Sequence, residues 1–159
     1  MQESWIHEVL KSLDSRPNVG RLIELCGENY LTIEKLIPDL QSMEGNYVSE
    51  RREGKDLFVE IVEHTRYTSL FRMTHQFGNG EFKELEPNVL MKAYNDLKLV
   101  EVLELKQCTI PELTLYEAPG LENKWRVNLF VSKWLSFCVF QGHRLSNSDN
   151  KKLISAFGN

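Results

Sequence analysis

Cysteine is scarce in this chain of 159 residues, which contains only Cys26, Cys108 and Cys138. An odd number of cysteines without a Cys-x-x-Cys spacing argues against a disulfide framework and is typical of reduced thiols in a cytoplasm. A zinc site needs a convergent set of ligands, and the loose spacing of Cys138 and His143 has no companion pair. The sequence therefore predicts neither a metal site nor a cofactor.

The chain also lacks an excess of positive charge and a long uninterrupted apolar run. Its 19 Lys and Arg residues are outnumbered by 23 Asp and Glu residues, which leaves a net charge of −4. Neutralising phosphates requires a basic surface, so nucleic-acid binding is not expected. The longest apolar stretch, residues 124–142, is interrupted by Ser132, Lys133 and Ser136, and the acidic N-terminus is unlike a signal peptide. These features favour a soluble cytoplasmic protein without a membrane span.

Known catalytic signatures are absent from the sequence as well. It contains no glycine-rich phosphate loop, no Gly-x-Ser-x-Gly elbow, no His-Glu-x-x-His pair and no Walker pattern. Cys108 lies in a predicted loop, and no His or Asp spacing beside it favours a nucleophile. Asn29 and Asn128 stand amid apolar helix residues, where a buried amide is expected to bind neighbouring polar groups rather than a ligand. The absence of these motifs favours a protein that is not an enzyme.

The sequence does contain one long apolar helix at residues 124–142. Apolar side chains recur there at spacings of three and four residues, which places them on one helical face: Val127, Phe130, Val131, Trp134, Leu135 and Cys138. Lys133 and Ser136 mark the opposite, polar face, and Glu122 or Asn123 is expected to cap the helix. Such a helix must bury its apolar face against the rest of the domain.

The remaining periodicities predict two N-terminal helices and five antiparallel strands. A short helix spans residues 3–14, and a longer one begins near Asn18 or Val19, runs toward Leu36 and ends before Pro38. Period-two patterns then predict strands at residues 46–51, 56–63, 66–75, 88–94 and 97–106. The chain is therefore predicted to form a single α+β domain over its whole length. An antiparallel β-meander of about five strands packs against the N-terminal helices and the long C-terminal helix.

Two tight turns set the predicted register of the strands. Residues 64–65 are predicted to join the second and third strands, because one unbroken strand over residues 56–75 would span about 65 Å. Residues 95–96, Asn-Asp, are a turn signal that joins the fourth and fifth strands. A two-residue loop at that point places Lys92 opposite Leu99.

Three blocks of the sequence combine apolar with polar positions. They are Leu-Cys-Gly-Glu-Asn-Tyr with Leu-Ile-Pro at residues 25–30 and 36–38, Val-Glu-His-Thr-Arg-Tyr-Thr-Ser-Leu at 62–70 with its companion at 94–102, and residues 124–142. Taken together, these blocks resemble the YqiB-like proteins of proteobacteria, a family defined by the domain of unknown function 1249. The resemblance covers residues 20–142, so residues 1–17 form an N-terminal helical addition and residues 143–159 a polar tail. It implies a fold and a cytoplasmic location but no activity.

Residues 62–70 also carry three candidate ligand-binding residues, Glu63, Arg66 and Tyr67, and Lys92 is a fourth. Arg66 offers a planar fork of donors for a carboxylate or a phosphate, and Glu63 would orient it. The structural alternative is a cross-strand ion pair between Glu63 and Arg66 that closes the hairpin. No catalytic residue is assigned.

The leading functional hypothesis is a non-enzymatic interaction or regulatory module. Trp5, Trp125 and Phe140 exceed what one core is expected to absorb, which favours an unknown protein partner or self-association as a homodimer. The alternative is a binder or hydrolase of a small anionic metabolite, such as a nucleotide, at the Glu63 and Arg66 region. Convergence of the candidate side chains in one pocket would favour this alternative.

Overall fold

A computed structural model of the chain describes residues 5–8, 18–51, 55–77, 84–107 and 120–149. Its helices and strands follow in the order α1 (Val19–Leu36), β1 (Gly45–Ser49), β2 (Asp56–His64), β3 (Thr68–Phe77), β4 (Glu84–Tyr94), β5 (Leu99–Lys106) and α2 (Leu121–Phe140). Short 3-10 turns span Leu40–Ser42 and Asn147–Asp149. The five strands form one antiparallel sheet in sequential order, so the predicted α+β fold, with its β-meander between helices, is confirmed.

Helix α1 begins and ends at signals that are visible in the sequence. The Asn18 side chain caps its N-terminus by accepting a hydrogen bond from the backbone N–H of Arg21 at 2.9 Å. Pro38, which has no N–H to continue the helix, follows its end. Of the shorter helix predicted over residues 3–14, residues 5–8 are helical and the remainder lies outside the described residues.

Helix α2 confirms the predicted long apolar helix of residues 124–142, but it spans Leu121–Phe140 and has a different N-cap. The N-cap is Gly120, whose carbonyl accepts a hydrogen bond from Lys124 N at 2.8 Å, in place of the expected Glu122 or Asn123. At the other end Gly142 adopts a φ of 86°, a left-handed conformation that stops the helix. Although α2 is largely apolar, the part of the chain that the structure describes contains no helix with the length and apolar character to cross a membrane.

The core lies between the helices and the inner face of the sheet. Large apolar side chains of both layers are fully buried there, namely Ile33, Leu36, Leu57, Phe71, Met73, Met91, Leu105, Phe130 and Trp134. Trp5, Trp125 and Phe140 were expected to be more aromatic residues than one core can bury. Trp5 and Trp125 are nevertheless buried, whereas Phe140 is 79% exposed. The core therefore absorbs two of these three aromatic residues, and self-association through Phe140 stays a prediction.

The turn between β2 and β3 is longer than predicted. Residues 65–67 form it, closed by a hydrogen bond from Thr65 N to Thr68 O at 2.9 Å. Arg66 therefore lies in the turn and not on a strand, where the shorter turn would have placed it. The predicted ion pair between Glu63 and Arg66 is not among the salt bridges of the described residues, since the longer turn carries the guanidinium away from the strand.

The turn between β4 and β5 comprises residues 95–98 and not two residues as predicted. Lys98 takes a left-handed φ of 57°, and β5 begins at Leu99. From Met91 to Tyr94 the register therefore differs from the predicted one by two residues, so that Lys92 lies opposite Glu101 instead of Leu99. A β-bulge between Leu90 and Met91 makes the difference three residues from Asn88 to Leu90. Because a shift of two residues keeps side chains on their own face of the sheet, Val100 and Val102 stay on the predicted apolar inner face. The bulge brings Leu105 opposite Val89.

Asn128 of α2 covers the free edge of the sheet at β5. Its Oδ1 accepts a hydrogen bond from Val102 N at 3.1 Å, and its Nδ2 donates to Lys124 O at 2.8 Å. An edge strand with unpaired N–H groups is a template for non-native pairing with another chain. The buried amide of Asn128 therefore both joins the helix to the sheet and protects this edge.

We predict that Asn128→Ala lowers the free energy of unfolding by about 1–3 kcal/mol, because the buried N–H of Val102 loses its acceptor. Urea unfolding followed by tryptophan fluorescence measures the change. Ser136→Ala on the exposed face of the same helix is the matched control, and its effect should stay within about 0.5 kcal/mol. Equal effects of the two substitutions would contradict the role assigned to Asn128.

Candidate functional site

A pocket lies where the end of α1, the segment that follows it and the β4–β5 turn meet. It has a volume of about 230 Å³. We call it the α1-end pocket, and its lining residues are Tyr30, Ile33, Glu34, Ile37, Pro38, Asp39, Leu40, Gln41, Ser42 and Asn95. The first two sequence blocks, at residues 25–38 and at 62–70 with 94–102, meet at this place although they are far apart in the chain.

The shape of the pocket follows from how the chain leaves α1. Pro38 ends the helix, and the 3-10 turn Leu40–Ser42 reverses the chain, with Ser42 N donating to Asp39 O at 2.9 Å. Ile37 and Leu40 are buried and anchor this segment to the core. The polar side chains between them are thereby left at the mouth of the pocket.

A chain of hydrogen bonds connects the segment after α1 to the sheet and to the β4–β5 turn. His64 Nε2 lies 2.8 Å from Met43 O, and His64 Nδ1 lies 2.9 Å from Ser69 Oγ. Because a carbonyl can only accept, Nε2 carries the proton and Nδ1 accepts from the Ser69 hydroxyl. Asn95 Nδ2 donates to the same hydroxyl oxygen at 3.2 Å. These bonds hold the Asn95 side chain in place at the pocket.

A serine that is hydrogen-bonded to a histidine, which in turn binds a carbonyl, resembles a catalytic nucleophile with its base. In this protein, however, a substrate has no access to the serine. Ser69 is 0% exposed, so no substrate reaches its hydroxyl. Its oxygen is also occupied as an acceptor by Asn95. We therefore interpret Ser69 and His64 as structural support for the pocket and not as catalytic residues.

The lining of the α1-end pocket is acidic. It carries two carboxylates, Glu34 and Asp39, and neither Lys nor Arg is among its lining residues. Tyr30 adds a hydroxyl whose pKa is raised, chiefly by burial and also by the charge of Glu34. Such a lining attracts cationic groups and hydrogen-bond donors and repels anions.

Three large apolar side chains are exposed at positions linked to lining residues of this pocket. Leu31 follows the lining residue Tyr30 on α1 and is 59% exposed, and Leu97, in the same turn as Asn95, is 63% exposed. Tyr67 is 50% exposed, and its carbonyl accepts a hydrogen bond from Asn95 N at 2.8 Å. We call Leu31, Tyr67 and Leu97 the apolar rim. Exposed apolar surface is one mark of an interaction site.

The four residues predicted to bind a ligand do not line this pocket. Glu63 and Lys92 lie on strands on either side of β3, each opposite Leu70. Arg66 and Tyr67 share the exposed β2–β3 turn, where the Arg66 Cζ lies 5.1 Å from the centroid of the Tyr67 ring. Tyr67 belongs to the apolar rim, and the binding of an anionic metabolite by the four residues stays a prediction.

The thiols that the structure describes are structural. Cys26 and Cys138 are free and buried, as predicted for small core residues. Burial raises the pKa of Cys26 to about 11, with Glu101 adding to the shift, and burial also raises the pKa of Cys138. Neither is therefore a reactive thiolate. Cys108 lies outside the described residues, within which no three His, Cys, Asp or Glu side chains form a cluster suited to a metal ion.

A buried histidine pair at the opposite end of the sheet has no signal in the sequence. His75 and His143 are almost fully buried, and their ring centroids lie 5.7 Å apart. Trp134 Nε1 donates to His75 Nδ1 at 3.0 Å, and His143 Nδ1 lies 2.8 Å from Ser49 Oγ. The pair joins the segment after α2 to β1 and β3, so we assign it to stability.

A family model described as protein of unknown function (DUF1249) matches residues 32–144. The match covers well over half of the chain and includes all five strands, α2 and most of the lining of the α1-end pocket. No curated protein and no solved structure matches the chain.

Proposed function

The chain belongs to the DUF1249 family of proteins of unknown function, and from this premise we propose that it is a non-enzymatic interaction module. In this proposal the α1-end pocket and the apolar rim bind a segment of a partner protein that carries a basic side chain among apolar ones. The observation that carries the proposal is an acidic pocket with three exposed apolar side chains linked to its lining residues. Leu31 lies one helical turn before Glu34, Leu97 shares a turn with Asn95, and the Tyr67 carbonyl accepts from Asn95 N.

The size of the pocket favours an anchoring side chain over a whole metabolite. Small-molecule sites usually have volumes of about 300–1,000 Å³, whereas the α1-end pocket has about 230 Å³. Protein interfaces place an anchor side chain in a pocket and surround it with contacts that exclude water. In this proposal the exposed side chains of Leu31, Tyr67 and Leu97 form such surrounding contacts.

Charge selects the kind of anchor that fits the pocket. A Lys or Arg side chain entering it meets Glu34 and Asp39, and an Arg guanidinium can bind a carboxylate through two parallel hydrogen bonds. A phosphate or carboxylate would meet charges of its own sign without a base in the lining to compensate them. The net charge of −4 of the chain also attracts a basic partner at longer range.

We further propose a cytoplasmic location and, from the resemblance, a proteobacterial source. The redox state of the cysteines supports the proposed location. Cys26 and Cys138 are free thiols, and free thiols are typical of a reducing compartment.

Fluorescence anisotropy with labelled synthetic peptides tests the interaction function. The peptides carry one Lys or Arg flanked by Leu and Phe, and a matched set carries Glu in place of the basic residue. We expect the wild-type chain to bind only the basic set. The Glu34→Gln/Asp39→Asn double variant should bind it about tenfold more weakly or worse, because both carboxylates that contact the cation are lost.

The matched control is the Glu24→Gln/Glu28→Gln double variant, which removes two exposed carboxylates from α1 outside the pocket lining. Its affinity for the basic peptides should equal that of the wild type. The proposed function is wrong if both double variants bind alike, or if the acidic peptides bind as tightly as the basic ones.

A further inference from the structure

The last residues that the structure describes lie beside the α1-end pocket. Leu145 is fully buried, and its N–H donates to Leu36 O at 2.7 Å, so the segment after α2 is anchored at the end of α1. Asn147 then contacts two pocket residues. Its Nδ2 donates to Ser42 Oγ at 3.2 Å, and its backbone N lies 3.5 Å from Asp39 Oδ2. Residues 150–159 therefore begin within a few residues of the pocket edge.

The composition of residues 150–159 suits the pocket beside which they begin. The segment reads Asn-Lys-Lys-Leu-Ile-Ser-Ala-Phe-Gly-Asn and contains no acidic residue. Lys151 and Lys152 supply the positive charge, and the large apolar residues that follow are Leu153, Ile154 and Phe157. A basic side chain followed by apolar ones is the pattern that an acidic pocket with an apolar rim selects.

We propose that the chain's own residues 150–159 dock in the α1-end pocket and compete there with a partner, so that the site is autoinhibited. This inference rests on the function proposed above and adds its regulation. A lysine of the segment meets Glu34 and Asp39, and its apolar residues cover the rim. A partner with tighter contacts displaces the segment and thereby gains access.

Reach and tethering support docking within one molecule. Because Asn147–Asp149 form a 3-10 turn, the extended reach is counted from Asp149. At about 3.3–3.6 Å per residue, the two residues to Lys151 span up to about 7 Å. A short tether also gives an effective concentration on the order of millimolar. The segment can therefore occupy the pocket of its own molecule even if its affinity is too low for binding between separate molecules to be detected.

Photo-cross-linking in the full-length chain tests where the segment lies. The benzophenone amino acid p-benzoyl-phenylalanine replaces Phe157, and mass spectrometry after irradiation locates the cross-linked residues. We expect intramolecular cross-links to residues 30–42 or to the β4–β5 turn. The same replacement at Phe140, which is 79% exposed at the end of α2, is the control and should give none there. Cross-links from position 157 that map only to other surfaces overturn the proposal.

A competition measurement tests whether docking inhibits binding. The probe is a fluorescein-labelled peptide with the sequence of residues 150–159, added to the full-length chain. The Lys151→Glu/Lys152→Glu variant should bind this probe about tenfold more tightly than the wild type, because its own segment no longer competes. Adding Asp39→Asn to that variant should remove the gain. Equal affinities of the wild type and the lysine variant overturn autoinhibition.

The two proposals fail in distinguishable ways. If basic peptides bind the wild type through Glu34 and Asp39 but the lysine variant gains nothing, the interaction function stands and autoinhibition is overturned. If the segment cross-links to the pocket while no added peptide binds either chain, docking of the segment is supported and the partner-binding function is overturned.

Discussion

Replacing Trp134 with alanine is expected to lower the free energy of unfolding by about 3–5 kcal/mol, the range for truncating a large buried aromatic side chain. Trp134 is 0% exposed and lies between α2 and the sheet. Its indole N–H donates to His75 Nδ1 at 3.0 Å, and the two rings meet edge to face with centroids 5.3 Å apart. The substitution therefore leaves a cavity and also a buried acceptor without its donor.

Urea unfolding followed by far-UV circular dichroism measures this loss. Tryptophan fluorescence is not suitable here, because the substitution removes one of the tryptophans. Trp134→Phe keeps an aromatic ring but removes the N–H, so it should cost less than alanine. Phe140→Ala, on the same helix but 79% exposed, is the control and should change stability by no more than about 0.5 kcal/mol. A Trp134→Ala effect as small as that of the control would refute the packing of α2 on the sheet.

Mild acid is expected to destabilise the protein through the buried histidine pair. Burial lowers the pKa of His75 from 6.5 to about 3, with the charges of His143 and Lys55 adding to the shift. Burial also lowers the pKa of His143, to about 4. The neighbouring Arg51 charge adds to that shift, while the Lys55 backbone and Asp56 oppose it. The folded state therefore holds both rings neutral at a pH where the unfolded chain protonates them.

The sign of the pH dependence follows from this difference in bound protons. At about pH 7.5 and above both states are almost entirely neutral at these rings, and stability is at its full value. As the pH falls below 6.5 the unfolded chain binds protons that the folded state does not, so stability decreases until the pH reaches the lowered pKa values. Between pH 7 and pH 5 the expected loss is about 2 kcal/mol for each histidine.

Urea unfolding at intervals from pH 8 to pH 5 measures this loss above the range in which ordinary carboxylates titrate. His143→Gln can still form a hydrogen bond with Ser49 but carries no charge, so the loss between pH 7 and pH 5 should fall by about half. The interval from pH 8 to pH 7 is the internal control, because the unfolded rings bind few protons there and the expected loss is only about 0.1–0.2 kcal/mol for each histidine. An identical pH dependence in the wild type and His143→Gln would exclude the pair as the cause.

The elements that could be predicted are those specified by local chemistry. The three- and four-residue spacing of apolar side chains predicted α2, and Asn18 and Pro38 marked the limits of α1, because helix periodicity and capping depend on neighbouring residues. The prediction that a buried amide binds neighbouring polar groups is confirmed for Asn128. It is wrong for Asn29, whose amide atoms have no hydrogen-bond partner within the described part of the chain.

The predicted register and candidate site depended on turns, which the sequence specified less well. Neither turn carries the Asn-Gly signature of a tight two-residue hairpin. Both are longer than predicted, which placed Arg66 in a turn and paired Lys92 with Glu101. The residues of the second block contribute Tyr67 and the support of Asn95 to the α1-end pocket, while an anion site at Glu63, Arg66, Tyr67 and Lys92 stays a prediction.

By itself the sequence determined the fold class, the main helices and the apolar face of the sheet, because periodicity encodes which side of each element is buried. Only the tertiary structure decided that Glu34 and Asp39 share a pocket with Asn95, and that His75 meets His143. These groups are distant along the chain, and their approach depends on strand register and on where the chain turns after each helix. A site built from such contacts leaves no pattern in any single stretch of residues.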